Sequence, residues 1–209
     1  MVVDEQAIIQ GVHGLKIEGD ENGLIRRFGV LLNNYHVDYY NHFSFNFAIG
    51  VIESHGMEFV PIAQQLLIYA AQDCAVNTFF GIMSSDEWKS LVGPMIDNDE
   101  DKIKALVAFE NALGWAKVEF VSLDPGKKLV LRSQGGYEAE GFKTLYEPKT
   151  GKANSGVCHM LAGVTAGFMD LIYGGGIGPE NLGTFQVVET KCIAKGDEYC
   201  EFVATPRED

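Results

Sequence analysis

The feature that most constrains the fold is a pair of cysteines near the C-terminal end of the sequence. They lie in the segment ETKCIAKGDEYCEF, residues 189–202, with seven residues between them. The residues Lys195-Gly-Asp197 are typical of a turn between two strands, and Cys192 and Cys200 are equally far from Gly196. Opposed residues of an antiparallel pair have Cβ atoms about 4.5–5.5 Å apart, so a symmetric hairpin would hold the two thiols side by side.

A third thiol, Cys158, comes just before a run of small and apolar residues. This run predicts a long helix that Asn154 or Ser155 caps and that continues to about Tyr173. Cys158 would then lie in the first turn, where the helix dipole favours the thiolate form that a metal requires. Its helix also contains Gly163 and Gly167, whose spacing indicates close packing in the core or at a dimer interface.

A closed tetrahedral metal site needs a fourth ligand, and two residues are near enough in sequence to supply it. Glu189 precedes Cys192 by three positions, which would put it on the other face of a regular strand. A bulge at 190–191 would bring it round. His159 follows Cys158 but points about 100° away around the helix. The spacing alone leaves both residues open.

A disulfide, a redox pair or unrelated buried thiols would also account for the cysteines. The first residues, Met-Val-Val-Asp-Glu, do not resemble a secretory leader, and we expect a reduced, cytoplasmic protein. The apolar run 157–173 contains His159 and Asp170 and is shorter than the roughly 18 residues of a membrane span, so we expect no span. No Cys-x-x-Cys is present. These points favour a structural metal site.

The rest of the chain predicts an α+β fold with helices packed on an antiparallel sheet. Helices are expected at 61–80, around Trp88 and at 103–113, and strands at 117–123, 128–134, 184–193 and 199–204. Residues 137–140 are interpreted as a short extended piece. Phe43, Phe45 and Phe47 alternate with smaller or polar residues, which predicts that residues 1–58 form a β-rich extension of the same globule.

Composition limits the function. A formal net charge of −13 disfavours direct binding to nucleic acid. No Gly-x-Gly-x-x-Gly motif lies between a predicted strand and helix, so a nicotinamide or flavin site is not indicated. The sequence therefore favours a protein that binds a ligand over an enzyme.

The helix Cys158-His-Met-Leu-Ala-Gly-Val-Thr-Ala-Gly167, followed by Glu189-x-x-Cys192 and Cys200-Glu-Phe-Val203, resembles the 4-vinyl reductase domain family. The resemblance covers roughly residues 59 to 203. This family includes the effector-sensing domains of phenol- and xylene-responsive activators and stand-alone hydrocarbon-binding proteins. It implies a homodimeric α+β domain, similar to small subunits of vesicle-trafficking complexes, over residues 59–209. It also implies a structural zinc held by Cys158, Glu189, Cys192 and Cys200.

The resemblance further implies a pocket for an apolar or aromatic molecule. In the phenol sensors a tryptophan before a Glu-Ala-Glu-like stretch contacts the ligand, and Tyr137 stands in a similar place here. Trp115 and Phe109 are further candidates because aromatic residues can line such a pocket, although they are equally suited to the core. The implied function is a zinc-stabilised sensor or carrier. The alternatives are an accessory protein or enzyme in reduction of a tetrapyrrole vinyl group, and a scaffold subunit of a larger assembly.

Overall fold

A computed structural model describes residues 2–32, 36–175 and 182–208. The helices in this part of the chain are α1 (Glu5–His13), α2 (Val37–His55), α3 (Val60–Ser84), α4 (Asp86–Leu91), α5 (Asp99–Ala112), α6 (Tyr137–Leu145), α7 (Glu147–Thr150) and α8 (His159–Tyr173). The strands are β1 (Ile25–Arg27), β2 (Val30–Leu32), β3 (Ala116–Asp124), β4 (Lys128–Gly136), β5 (Phe185–Lys191) and β6 (Cys200–Pro206). Short 3₁₀ turns lie at Met57–Phe59, Gly93–Met95 and Ile193–Lys195.

Four strands form the main sheet in the order β3-β4-β6-β5, and every neighbouring pair is antiparallel. The strands β1 and β2 form a separate hairpin. Helix α8 contacts strands β4, β5 and β6 of the sheet, and it also contacts helix α3. The predicted α+β class, with helices on an antiparallel sheet, is confirmed.

The glycines of α8 set how closely α3 approaches it. A Cβ atom at Gly163 would lie 2.4 Å from the backbone oxygen of Ile68, and one at Gly167 would lie 2.8 Å from the Cβ of Ala75. Both distances are shorter than real Cβ contacts, so only glycine fits without a shift of α3. The two glycines therefore pack inside the chain's own core, which decides between the alternatives left open by their spacing.

The prediction that residues 1–58 are β-rich is wrong. Helices α1 and α2 are the longest elements of this part, and its strands among the described residues are the three-residue β1 and β2. Phe43, Phe45 and Phe47 lie in α2, where a spacing of four puts Phe43 and Phe47 on one side and Phe45 on the other. Phe45 is buried, whereas Phe43 and Phe47 are exposed. An alternation of five residues thus matched two sides of a helix as well as two faces of a strand.

The sequence indicated that residues 137–140 are extended, but in the structure they begin α6. The start of α8 is also later than predicted, because its N-cap is Cys158. The chain before it is held away from the helical path by two contacts. Ala153 donates its backbone N–H to the oxygen of Ala194 at 3.1 Å, and the N–H of Cys158 donates to Glu189 at 3.0 Å.

In the described residues, one helical stretch is long and apolar enough to cross a membrane by length and composition, Met57–Ser84. The expectation of no span considered the shorter run in α8. One third of the most apolar window of Met57–Ser84 is buried in the fold. Its buried side packs against α8, and its other side exposes Ile62, Leu66, Tyr69 and Phe80.

Candidate metal centre and adjoining cleft

Four potential metal ligands converge where α8 begins beside the ends of β5 and β6. One ligand atom from each of Cys158, Glu189, Cys192 and Cys200 lies within 4.8 Å of all the others. The sulfurs of Cys158 and Cys200 are 3.6 Å apart, and all three thiols are buried. The structure therefore assembles a set of three thiols and one carboxyl that could hold a metal ion.

A β-bulge brings the carboxyl of Glu189 to the thiols. Glu189 is opposite Phe202, but Lys191 is opposite Glu201, so the register shifts by one residue between them. This is the irregularity that the sequence required for Glu189 to share a side with Cys192. The structure places Glu189, and not His159, within reach of the three sulfurs.

The turn between β5 and β6 fixes the positions of the sulfurs of Cys192 and Cys200, which lie on either side of it. The N–H of Cys192 donates to the carboxylate of Asp197 at 2.8 Å, and the N–H of Ile193 donates to the sulfur of Cys200 at 3.3 Å. Gly196 has a φ of 103°, in the left-handed region that favours glycine. The hydrogen bond to Cys200 Sγ also supplies the kind of donor that stabilises a metal-bound thiolate.

The chemistry of the four side chains fits a bound cation. The oxygen Oε2 of Glu189 accepts the N–H of Cys158, while Oε1 is buried and has no hydrogen-bond partner in the described structure. Burial raises the pKa of Glu189 to about 9. Hydrogen bonds with Cys192 and Cys200, together with burial, raise the pKa of the Cys158 thiol well above its usual range. A divalent cation would offset the cost of ionising these groups and would give Oε1 a partner.

A cleft of about 240 Å³ adjoins this cluster. Its walls come from α2, α3, the start of α6 and the start of α8, including Tyr40, Phe43, Leu67, Ala71, Glu138 and His159. His159 follows Cys158 directly in the chain. The first residue of α8 therefore belongs to the cleft, and the cap of the same helix belongs to the metal cluster.

Two buried polar side chains lie in the wall of the cleft. Both oxygens of Glu138 accept the N–H of Met160 at 3.0 Å, and Oε2 also accepts that of Leu161 at 3.3 Å. Burial raises the pKa of Glu138 to about 8. His159 is 5% exposed, and neither of its ring nitrogens has a hydrogen-bond partner among the described residues. Burial lowers the pKa of His159 to about 4, so its ring is neutral at pH 7.

The three residues predicted to line a ligand pocket are placed differently. Phe109 is fully buried, with ring centroids 5.4 Å from Phe28 and 5.3 Å from Trp88. Trp115 is half-buried and packs on the core. Tyr137 is next to Glu138 in the chain, and its ring lies 6.4 Å from that of Tyr40. None of the three forms part of the cleft wall in the described structure.

The buried carboxyls that the sequence did not predict include those of Glu138 and Glu110. Glu138 lies in α6, which the sequence did not predict as a helix. The burial of Glu110 could have been predicted from the sequence, because this residue occupies the apolar stripe of α5 together with Ile103, Leu106 and Val107. Glu110 is 1% exposed, its Oε2 has no hydrogen-bond partner in the described part, and burial raises its pKa to about 8.

No family model matches this chain, and no curated protein matches it. Among solved structures it is similar to the phenol-responsive sensory domain of the transcription activator PoxR, determined with phenol. The TM-score is 0.70 at 14% identity, over 99% of this chain and 92% of that one. The chain shares the fold of that sensory domain. It also matches a vinyl-4-reductase family protein from Methanocaldococcus jannaschii, with a TM-score of 0.45 at 13% identity over 98% and 92% of the two chains. The fold expected from the resemblance is confirmed.

Proposed function

We propose that this protein is a zinc-stabilised module that binds an apolar or aromatic small molecule and serves as a sensor or carrier. One observation carries the proposal: the start of α8 joins the cluster of four ligands to an apolar cleft. Cys158 is the cap of the helix, and His159 is its first residue. A metal that fixes the cap also fixes one wall of the cleft, so ligand and metal would stabilise the same helix end.

Zinc is the metal that suits the cluster best. Thiolates are soft ligands that select zinc over magnesium, calcium or manganese, and zinc takes four ligands in structural sites. Cys158, Cys192, Cys200 and Glu189 would supply all four from the protein, which leaves no position for a reacting water. We therefore assign the metal a structural role. A cytoplasmic setting would keep the thiols reduced and available.

The proposed ligand class follows from the cleft. Its walls carry aromatic and aliphatic side chains, with two buried polar groups near the start of α8. A sensory domain of the same fold was determined with phenol, which supports an aromatic ligand here as a proposal. We keep Tyr137 among the proposed site residues because it precedes Glu138 in the chain and its ring lies near that of Tyr40. Trp115 and Phe109 would contribute to binding indirectly, by supporting the core on which the cleft is built.

A homodimer is the proposed assembly. Helices α2 and α3 expose large apolar side chains, among them Phe43, Phe47, Ile62, Leu66 and Tyr69. Soluble monomers rarely leave a wide apolar surface open to water, and a second copy is the commonest partner for such a face. We propose that two copies meet through these helices.

Native mass spectrometry of the protein purified without added ligand or metal tests this proposal. We expect two chains with one zinc per chain, and uptake of a one- or two-ring aromatic compound when it is added. Dialysis against a chelator should remove the zinc and weaken the uptake, because the helix end that borders the cleft loses its anchor. A chain that carries no zinc and gains none when zinc is supplied would contradict the structural role of the metal. A zinc-loaded dimer that takes up no aromatic compound would contradict the binding role.

A further inference from the structure

We infer that Glu138 is the positioning residue through which the cleft and the metal cluster act on each other. Its carboxyl, carried by α6, binds the start of α8, where Cys158 belongs to the metal cluster and His159 to the cleft wall. This inference rests on the proposed binding function and adds the regulation of that site. Filling the cleft should change the affinity for zinc, and zinc should change the affinity for a ligand, by way of Glu138.

Helix α8 cannot cap its own first turn while Cys158 binds a metal. Cys158 is the N-cap, and its side chain makes no cap hydrogen bond. In many helices the N-cap side chain accepts the N–H of the second or third helical residue. The thiol of Cys158 lies instead 3.6 Å from the sulfur of Cys200, within the metal cluster. One thiol cannot both cap the helix and bind the metal, so the cap must come from another residue.

Glu138 supplies this cap from another helix. Met160 and Leu161 are the second and third residues of α8, and their N–H groups donate to the carboxyl of Glu138 at 3.0 Å and 3.3 Å. These bonds satisfy donors that a helix leaves without a partner in its first turn. Glu138 is 2% exposed, and both of its oxygens accept. An amide in its place would set an NH2 donor against a backbone donor, so the site requires a carboxyl.

Helix α2 fixes the position of α6. Asn41 of α2 is 1% exposed, and its Nδ2 donates to the backbone oxygen of Tyr137 at 3.1 Å. Gly141, one turn further along α6, lies so close to Asn41 that there is no room for a Cβ atom. Helix α6 is therefore in tight contact with α2, and Glu138 extends this contact to the start of α8.

A ligand and a metal would both act on this series of contacts. Tyr40 and Phe43 of α2 form part of the cleft wall together with Glu138. A ligand that fills the cleft would hold α2 and α6 in place, and a metal would hold Cys158 at the cap of α8. Each would favour the arrangement that the other needs, which gives positive cooperativity. Such coupling is reciprocal and typically changes affinities by about 5- to 150-fold.

The test measures the zinc affinity of the full-length protein at pH 7, with and without naphthalene, by competition with a chelating dye. Naphthalene is the probe because its two rings suit a cleft of about 240 Å³, and its fluorescence reports its own binding. We expect saturating naphthalene to raise the zinc affinity of the wild type at least about fivefold. Glu138→Gln should bring the ratio of the two zinc affinities close to one. A loss of stability alone would lower both affinities equally, so the ratio reports the coupling.

Two further variants separate the coupling from direct contact with either site. Asn41 lies outside both the cleft wall and the metal cluster. Asn41→Leu keeps the size of the side chain but removes its bond to Tyr137, and it should lower the ratio as Glu138→Gln does. It also carries the test if Glu138→Gln does not fold. Glu140→Gln is the matched control, because the side chain of Glu140 is 59% exposed on the same helix, and it should leave the ratio unchanged.

The outcomes distinguish this inference from the proposed function. If naphthalene binds the wild type but does not change its zinc affinity, the inference is wrong while the proposed binding function stands. The same holds if Glu138→Gln or Asn41→Leu binds zinc and naphthalene with the wild-type ratio. If the zinc-loaded wild type binds no naphthalene, both are wrong.

Discussion

The C-terminal corner, built from the start of α8 with β5 and β6, and the helical layer of α2, α3 and α5 differ in how closely their buried polar groups are gathered. In the corner, Glu189 and the three thiols face one another, and backbone N–H groups donate to Glu189 and to Cys200. In the helical layer, Glu110 buries a carboxyl oxygen that has no partner among the described residues, and large apolar side chains are exposed. The gathered groups of the corner, including Oε1 of Glu189, which is unpaired in the described part of the chain, could share one cation. The carboxyl of Glu110 lies apart from those groups, and the exposed apolar side chains of α2 and α3 offer a surface to a second copy.

The largest expected effect comes from breaking the corner. Cys200→Ala should lose the metal and lower the free energy of unfolding by at least about 3 kcal/mol, because metal binding to a structural site is coupled to folding. Metal analysis and denaturant unfolding measure the two effects. Cys74→Ala is the matched control, since Cys74 is an exposed thiol outside the cluster, and it should change stability by less than about 0.5 kcal/mol. Equal metal content in both variants would contradict the assignment of the cluster.

A gentler change tests the position of Glu189 without removing a ligand. A Cβ atom at Gly156 would lie 2.3 Å from Oε2 of Glu189, so Gly156→Ala should push this carboxyl out of the cluster. We expect metal affinity to fall about 10- to 100-fold, as it does when groups that orient a ligand are altered. Competition with a chelating dye gives the affinity. Gly135→Ala is the control, because a Cβ atom there meets no described atom within 4 Å. Unchanged affinity in Gly156→Ala would show that Glu189 is not a ligand.

The contact between α8 and α3, called the seam here, joins the two regions. It should be the least tolerant of added side-chain volume. Gly163→Ala puts a methyl group 2.5 Å from the Cβ of Ala71 and closer still to the backbone of Ile68. We expect a loss of about 2 kcal/mol in the free energy of unfolding, after allowing for the better helix propensity of alanine. Thermal or denaturant unfolding measures it.

The matched change in the helical layer should have the opposite sign. Gly50 lies within α2, and a Cβ atom there meets nothing within 4 Å in the part of the chain that the structure describes. Gly50→Ala should therefore stabilise the protein by about 0.5–1 kcal/mol through helix propensity alone. If both glycine variants changed stability in the same direction, the contrast between a packed seam and an open layer would not hold.

The stability of the helical layer should also depend on pH. Burial raises the pKa of Glu110 from 4.5 to about 8, so the folded state keeps a proton that the unfolded chain releases above pH 4.5. The stability from this proton is complete below the unfolded pKa and is lost as the pH rises towards about 8. Glu110→Gln should flatten this decline by up to about 1 kcal/mol per pH unit. Unfolding curves of both proteins at several pH values show it, and equal slopes would place the carboxylate in contact with solvent.

The same contrast explains what could be predicted from the sequence. The corner depends on local geometry, because the turn at Gly196 sets Cys192 against Cys200, and strand alternation specified that Glu189 needed a bulge. The helical layer depends on packing between distant segments. The alternation of Phe43, Phe45 and Phe47 fitted strand and helix alike, and only the burial of Phe45 against Phe142 and Tyr146 distinguishes them. The cleft joins residues from α2, α3, α6 and α8, and no sequence spacing reports such an arrangement.

X-ray absorption at the zinc edge of the purified protein tests the metal corner most directly, since it reports the atoms bound to the metal. We predict three sulfur ligands at about 2.3 Å and one oxygen ligand at about 2.0–2.2 Å, with no imidazole scattering. In Glu189→Ala the three sulfurs should remain and the oxygen should change. An imidazole signal would give the fourth position to His159 and take that ring away from the cleft. A spectrum with fewer than three sulfurs, or a protein with no zinc, would contradict the metal corner itself.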